Sequence, residues 1–225
     1  MRGKLIVVEG TDCSGKETQT KELIKKLEEN NIKAIRYSFP MYDTPTGKIV
    51  GGPYLGKKYI SEGWFSEGAT HVNYKVASLL YAADRLYNID KIIKDLDNGY
   101  YVILDRYVYS NMAHQGGKVY SSSDRYNIYK WLEELEFNLL KLPVPDIKIF
   151  LHMPVEYSKI LKQNRLEMPD QHEQDENYLK NAEQAYLEIA EIYDFKIFEC
   201  VKDGKINSIQ SMNDEIYDYV SSIIK

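Results

Sequence analysis

The 225-residue sequence has few of the features that mark several large classes of protein. Its two cysteines, Cys13 and Cys200, lie far apart and outside any CxxC or Cys/His pattern, so we expect neither a disulfide framework nor a zinc site. No segment approaches the roughly 20 apolar residues that a membrane span requires, and the N-terminal apolar run is too short for a signal peptide. These absences favour a cytoplasmic protein without a membrane partner.

The sequence also lacks an excess of basic residues. Its formal net charge is -5, and its lysines and arginines are spread along the chain instead of being clustered. Proteins that bind long nucleic acids without sequence preference usually need a basic patch. We therefore expect no nucleic-acid partner, whereas a small charged substrate is compatible with this charge.

Short apolar runs alternate with segments of helical periodicity along the whole chain. The predicted strands are 5–8, 33–39, 101–104, 147–151 and 195–198, and the predicted helices are about 16–29, 69–98, 124–142, a short one after Pro154, 182–192 and 209–223. Residues 40–68 are interpreted as loops with short helices at most. The alternation predicts one α/β domain over 1–225, with a five-stranded parallel sheet, helices on both faces and ligands at the carboxyl ends of the strands.

A phosphate-binding motif lies between the first predicted strand and helix. Residues Gly10, Thr11, Asp12, Cys13, Ser14, Gly15 and Lys16 spell GxxxxGK. In this context the backbone N–H groups cradle phosphates, the helix N-terminus adds positive potential, and the lysine contacts the β- and γ-phosphates of a nucleotide. The motif predicts a three-layer fold of the P-loop NTPase type and ATP binding; the alternative is an ordinary glycine-containing turn.

The residues that follow the motif depart from its usual form. Glu17 stands where a Ser or Thr normally binds Mg²⁺, and Thr18 comes one position late. We expect both to lie in the ATP site and hypothesise that Glu17 approaches the hydrated metal. The alternative is an acid that is favoured in the first turn by the helix dipole.

Two opposite charges follow the third predicted strand. We expect Asp105 to orient Mg²⁺ or its waters, and Arg106 to clamp the phosphoryl group that is transferred. The alternative is a surface ion pair that closes the strand.

Four segments together resemble the thymidylate kinases. They are Val8 to Lys16, Phe39-Pro40, Leu80 to Arg85 and Ile103 to Tyr107. Their order and spacing are similar to that family over the whole chain. The resemblance implies transfer of a phosphoryl group from ATP to dTMP with Mg²⁺ as cofactor, and a homodimer built on helices.

The resemblance also implies roles for residues that would bind dTMP. Asp12 would bind the 3′-hydroxyl, Arg106 the phosphates, and Arg85 a base oxygen, while Tyr81 would stack on thymine. Positions 81 and 85 share a helical face, which supports this pairing, although Tyr81 alone would be interpreted as a core aromatic. Phe39 and Pro40 would form a wall of the site.

Polar contacts to the base are implied for Ser110, Asn111 and Gln115. Asn111 is the preferred base reader because an amide can donate and accept at once, as the thymine edge requires. The alternatives are helix capping by Ser110 or Asn111 and a solvated Gln115.

Several positions differ from the family pattern. Many members have an arginine after the Phe-Pro pair, where this chain has Met41 and Tyr42, so Tyr42 is expected to bind the acceptor phosphate. His114 stands where an aromatic usually excludes a 2′-hydroxyl, which leaves discrimination against ribonucleotides open. The family's lid corresponds to about 164–176, and Arg165, its only arginine, is the predicted catalytic cation there.

Two other functions remain open from the residues alone. One is a nucleoside monophosphate or deoxynucleoside kinase with another acceptor, which differs only in the base pocket. The other is a nucleotide-binding switch, against which the absence of an NKxD sequence argues.

Overall fold

The most apolar strands lie at the centre of one parallel sheet. A computed structural model describes residues 2–162 and 176–224. The strands of this sheet are β1 (Leu5–Gly10), β2 (Ala34–Ser38), β3 (Tyr101–Asp105), β4 (Ile147–His152) and β5 (Lys196–Glu199). Their spatial order is β2-β3-β1-β4-β5, and every pairing is parallel. The predicted five-stranded parallel sheet is therefore confirmed.

The side chains of β1 show why both faces of the sheet are covered. Leu5 and Val7 belong to one buried apolar cluster, whereas Ile6 and Val8 belong to a second. Because successive side chains of a strand point to opposite faces, the sheet lies between two cores. This gives the three layers expected of the fold.

Helices of different parts of the chain complete these two cores. The α-helices in the described residues are α1 (Lys16–Glu29), α2 (Pro45–Ile49), α3 (Tyr74–Asp97), α4 (Val108–Gly116), α5 (Ser122–Glu133), α6 (Val155–Lys162), α7 (Glu176–Ile192) and α8 (Ile209–Ile224). The first core receives side chains from α3, α4, α5 and α7, and the second from α1 and α8. None of the helices in 2–162 and 176–224 has the length and apolar character needed to cross a membrane.

The helix predicted over 124–142 is shorter than expected. Its α-helical part ends at Glu133, and Glu134–Leu139 form a π-helical segment in which Leu140 N donates to Leu135 O at 2.9 Å. The wider turn changes which side chains face the interior. As a result Glu136 is fully buried, while Leu139 is 66% exposed. A second π-helical segment, Val50–Tyr54, follows α2.

Helix α4 is not predicted by any periodic pattern in the sequence. All of its residues except His114 are buried, so there is no contrast between an apolar and a polar face. A short antiparallel hairpin, formed by β6 (Val201–Lys202) and β7 (Lys205–Ile206), is also absent from the predicted elements. It lies between β5 and α8.

Candidate active site

The phosphate cradle lies where β1 turns into α1. Gly15 has φ +76°, a left-handed conformation that glycine adopts without strain. A Cβ on Gly10 would lie 2.4 Å from Ser14 Oγ, so the turn closes tightly only with glycine at this position. Lys16 Nζ donates to the carbonyl oxygens of Gly10 at 2.9 Å and Thr11 at 2.8 Å. The backbone therefore wraps around the lysine that was predicted to contact phosphate.

Electrostatics place Lys16 in the same region as the charges that follow β3. Burial and, to a smaller extent, the neighbouring Arg106 lower the pKa of Lys16 to about 8, whereas Asp105 and Asp12 oppose this shift. Groups influence one another in this way only when they are close. The cradle and the end of β3 thus form one charged site.

The sheet register explains this proximity. Strands β1 and β3 are neighbours, with Val8 opposite Asp105. Asp105 is buried and forms an ion pair with Arg36, which comes from β2. Arg106, the next residue, has φ 67°, a conformation that is uncommon outside glycine and recurs at functional sites.

Three elements hold the guanidinium of Arg106. Its Nη1 donates to Ser110 Oγ at 3.2 Å and to Tyr186 OH at 3.0 Å, and its Nη2 lies 3.4 Å from Asp12 Oδ1. Burial disfavours the charge, but Tyr186 and Asp12 more than compensate, so the pKa of Arg106 is raised. The guanidinium remains charged and is oriented by the cradle, α4 and α7.

A carboxylate that sequence reasoning missed caps α4 from the neighbouring strand. Glu9 Oε1 accepts from Tyr107 N at 2.8 Å and from Ser110 N at 3.0 Å, and the Ser110 hydroxyl donates to the same carboxylate. Burial raises the pKa of Glu9, although these hydrogen bonds oppose the rise. The cap was not recognisable because Glu9 lies 98 positions before Tyr107, the residue that precedes α4.

A cavity opens beside Arg106 at the carboxyl edge of the sheet. Nine of the ten residues predicted to bind dTMP line it: Asp12, Phe39, Pro40, Tyr42, Tyr81, Arg85, Arg106, Ser110 and Asn111. Leu55, Tyr107 and His114 complete the lining. The predicted residues come from five separate segments of the chain, so their convergence depends on the fold.

The cavity has an apolar wall and a polar end. Phe39, Pro40 and Tyr81 supply apolar surface, and the Tyr81 ring packs edge-on against Tyr54 with centroids 5.7 Å apart. Arg85 and Asn111 supply donors and acceptors from α3 and α4. A flat ligand with a polar edge and an anionic group near Arg106 would suit this surface.

Comparison with known proteins identifies the family. The sequence model of the thymidylate kinases matches residues 8–213. The chain belongs to the thymidylate kinase family. It is 29% identical over 222 residues to the thymidylate kinase of Schizosaccharomyces pombe, which covers 99% of this chain and 93% of that protein. It is 33% identical over 218 residues to the probable thymidylate kinase of Methanocaldococcus jannaschii, with coverage of 97% and 96%.

A solved structure of the thymidylate kinase family has the same fold. The enzyme from Candida albicans superimposes with a TM-score of 0.74 at 26% identity, covering 98% of this chain and 92% of that one. The resemblance that the sequence motifs suggested is thereby confirmed at the level of family and fold.

Two of the predicted site residues do not line the cavity of the described structure. Gln115 does not line the cavity; it is fully buried, and within the described part of the chain its amide atoms have no hydrogen-bond partner. Arg165 and the rest of the predicted lid up to position 175 lie outside the described residues. Their expected roles remain predictions.

A second cavity lies on the other side of the cradle. Its lining includes cradle residues, residues of α1, and residues that follow β5: Cys13, Ser14, Gly15, Thr18, Gln19, Met153, Leu161, Cys200, Ile206, Asn207, Ile209 and Met212. Because cradle residues form part of its lining, this cavity adjoins the phosphate-binding turn. The hairpin β6-β7 forms part of its border through Ile206.

The two residues predicted to serve a metal differ in their surroundings. The Asp105 side chain is 8% exposed and lies among the charges of the cradle. The Glu17 side chain is 66% exposed and pairs with Lys21 of the same helix at 2.6 Å. Within residues 2–162 and 176–224 no group of three His, Cys, Asp or Glu side chains is placed to bind a metal by itself.

Proposed function

We propose that this chain transfers the γ-phosphoryl group of ATP to dTMP, giving dTDP and ADP. The observation that supports this best is the position of Arg106. It lines the cavity that contains Tyr81, Arg85 and Asn111, which we call the acceptor cavity, and it also pairs with Asp12 of the cradle. One cation can therefore contact both nucleotides where their phosphates meet. Membership of the thymidylate kinase family provides independent support.

The acceptor is held on several sides in this proposal. Tyr81 lies against the face of the thymine ring, and Arg85 and Asn111 bind its edge. Asp12 accepts from the 3′-hydroxyl, and Tyr42 donates to the acceptor phosphate. Ser110 acts through Arg106, which accounts for its place in the lining.

Positioning and charge stabilisation account for the chemistry. An oxygen of the dTMP phosphate attacks the γ-phosphorus of ATP in line, while the bond from that phosphorus to the bridging oxygen of ADP breaks. The attacking oxygen is already anionic, so no residue has to remove a proton and no covalent enzyme intermediate forms. Lys16 and Arg106 balance the charge on the transferred group, and Arg165 is proposed to add a third cation.

Mg²⁺ is the proposed cofactor, and the donor set is chemically suited to it. Mg²⁺ usually takes one or two carboxylates and completes its shell with water and substrate phosphates. Asp105 provides a buried carboxylate beside the cradle, and Glu17 provides a second at the start of α1. When bound with ATP, the ion would neutralise phosphate charge.

We also propose a homodimer and a cytoplasmic location. Exposed apolar side chains of α3 form one stripe that a second copy could cover, including Val76, Leu79 and Leu86. The cytoplasmic proposal is supported by the low cysteine content.

The proposal is tested by measuring the release of ADP from ATP with a panel of acceptors. dTMP should give the highest kcat/KM among dTMP, dUMP, dGMP, UMP and thymidine, and ATP without acceptor should turn over slowly. UMP is informative because His114 lines the cavity and stands where the family usually has an aromatic that excludes a 2′-hydroxyl. A Lys16→Met preparation should be inactive, which controls for contaminating kinases. Preference for another acceptor, or hydrolysis that needs no acceptor, would contradict the proposal.

A further inference from the structure

A buried carboxylate behind the acceptor cavity links the two side chains at its polar end. Glu136 lies in the π-helical segment Glu134–Leu139 and is 0% exposed. Its Oε1 accepts from Arg85 Nη2 at 2.6 Å and from Asn111 Nδ2 at 3.0 Å, and its Oε2 accepts from Arg85 Nε. Both partners line the cavity, whereas Glu136 does not.

This carboxylate determines how the amide of Asn111 is oriented. A carboxylate can only accept, so the amide must present its NH₂ group to Glu136. The second N–H of that group donates to Ser78 O at 3.2 Å. Both donors are thus engaged, and Asn111 Oδ1 is buried without a hydrogen-bond partner in the described structure. Asn111 therefore offers a ligand an acceptor only.

The same carboxylate keeps Arg85 as a donor. Burial disfavours the guanidinium charge, but the contact with Glu136 outweighs it and raises the pKa of Arg85. Two of the five N–H groups point at Glu136, and Nη1 lies 3.5 Å from Tyr107 O. Since a guanidinium has no acceptor, the remaining N–H groups can bind only acceptors on the ligand.

We propose that Glu136 is a positioning residue that sets the hydrogen-bond polarity of the base site, so that the site binds an imide edge and rejects a cytosine edge. Thymine and uracil present a ring N–H between carbonyl oxygens, which complements one acceptor and one donor. Cytosine presents a ring nitrogen acceptor and an amino donor, which would face Asn111 Oδ1 and Arg85 with like groups. The inference rests on the proposed function, since it assigns the cavity to the acceptor base.

A glutamine at position 136 would remove this constraint while keeping the volume of the side chain. Its amide can donate as well as accept, so the Asn111 amide could turn over and present NH₂ to the base. Arg85 would also lose its charged partner. Such a site rejects the wrong ligand because that ligand leaves buried polar groups of the protein unpaired. Discrimination is lost when those groups can rotate and pair with either ligand.

The experiment compares Glu136→Gln with the wild type, using dTMP, dUMP and dCMP as acceptors at saturating ATP. The KM for dTMP should rise about 10-fold or more, as expected for loss of an oriented hydrogen bond to a charged group. The KM for ATP should stay unchanged. The preference for dTMP over dCMP, measured as a ratio of kcat/KM, should fall by at least about tenfold.

Glu188→Gln is the matched control because Glu188 forms a similar pair with Arg125 outside the cavity. Arg125 Nε donates to Glu188 Oε2 at 2.9 Å, and neither residue lines the acceptor cavity. This variant should lower the thermal midpoint without changing the KM for dTMP or the dTMP/dCMP ratio. An equal loss of selectivity in both variants would show that Glu136 acts only through stability, and would overturn the inference.

A double variant keeps the test decisive if Glu136→Gln folds poorly. Combining Asn111→Asp with Glu136→Gln restores a negative charge near Arg85 and places an acceptor-only group at position 111. The dTMP/dCMP preference should then recover relative to Glu136→Gln, or exceed about tenfold if only the double variant folds. A folded double variant that prefers dCMP would overturn the inference.

Equilibrium binding of dTMP and dCMP to the wild type distinguishes a failure of the role of Glu136 from a failure of the proposed function. If the wild type phosphorylates dTMP but Glu136→Gln keeps its KM and its selectivity, only the inference about Glu136 fails. If the wild type neither binds nor phosphorylates dTMP, the proposed function fails with it.

Discussion

Arg106 and Lys16 could be predicted from the sequence because each belongs to a short sequence pattern that follows a predicted strand. The lysine closes a glycine-containing turn between a strand and a helix, and the arginine follows a strand that ends beside it. Glu9 and Glu136 could not be predicted in the same way. Their importance comes from partners that are distant in sequence, and neither lies in a motif. Residues proposed to contact substrate were therefore easier to recognise than those that position them.

Asp105 and Glu17 allow a prediction about the metal at the residue scale. Asp105→Asn should raise the Mg²⁺ concentration needed for half-maximal activity by about 10- to 100-fold, the loss typical of a missing carboxylate near a metal. Glu17→Ala should cause a smaller shift because the Glu17 side chain is 66% exposed and paired with Lys21. The measurement is ADP release as a function of free Mg²⁺ at fixed ATP.

Asp97→Asn serves as the control for that comparison, because Asp97 pairs with Arg2 on the surface at 2.9 Å. It should leave the Mg²⁺ dependence unchanged. Thermal unfolding of Asp105→Asn should be recorded as well, since Arg36 loses its charged partner. If Glu17→Ala has no effect on the Mg²⁺ dependence, Glu17 has no metal role; if Asp105→Asn has none, the assignment of Asp105 is wrong.

Helices could be predicted where apolar residues recur at regular spacing, but not where nearly every residue is buried. Helices α1, α3, α7 and α8 have one buried face and were recognised, whereas α4 is buried on nearly all sides and was not. The π-helical segment after α5 shifts the pattern by one residue per turn, which turns Glu136 inward. A pattern with a period of 3.6 residues does not predict that Glu136 is buried and Leu139 exposed.

His152 gives a prediction about how three elements are held together. It ends β4, and its ring nitrogens lie 2.8 Å from Glu183 of α7 and 2.8 Å from Glu199 of β5. The contact with Glu183 in particular raises the pKa of His152 above its ordinary 6.5. A raised histidine pKa means that the stabilisation is complete below pH 6.5 and is lost as the pH rises through the folded-state value.

The free energy of unfolding of His152→Gln should accordingly fall below that of the wild type at pH 6. The difference should shrink at pH 9, where the wild-type histidine is neutral. Urea denaturation at the two pH values measures this. His71→Gln, in which an exposed histidine is replaced, should differ from the wild type by a similar small amount at both pH values. A deficit of His152→Gln that is the same at pH 6 and pH 9 would exclude the charged pair as its cause.

At the scale of the whole molecule, the order of strands and helices followed from the sequence because a parallel sheet with two covered faces is the natural outcome of such alternation. The acceptor cavity did not follow in the same way. Its walls come from the cradle, the segment after β2, α3, the turn after β3 and α4, so its shape depends on how these elements pack. The family resemblance supplied its residues, and the packing of the fold brings them together.

The exposed stripe on α3 leads to a prediction about assembly. Val76, Leu79, Leu86 and Tyr87 are between 44% and 60% exposed, and with Ala83 they occupy about a third of the helix circumference. The opposite face of α3 carries Arg85, which is buried at the acceptor cavity. An uncovered apolar stripe on a helix is a typical surface for a second copy of the chain.

The wild type should therefore sediment as a dimer at micromolar concentration, and a variant that combines Leu79→Asp with Leu86→Asp should sediment as a monomer. Carboxylates at these positions would be buried without partners in a dimer, a cost that favours dissociation. Ile160→Asp, which places the same charge at a 55% exposed apolar residue of α6, should remain dimeric. A monomeric wild type would contradict the proposed dimer, whereas a dimeric α3 variant would show that the two copies meet through another surface.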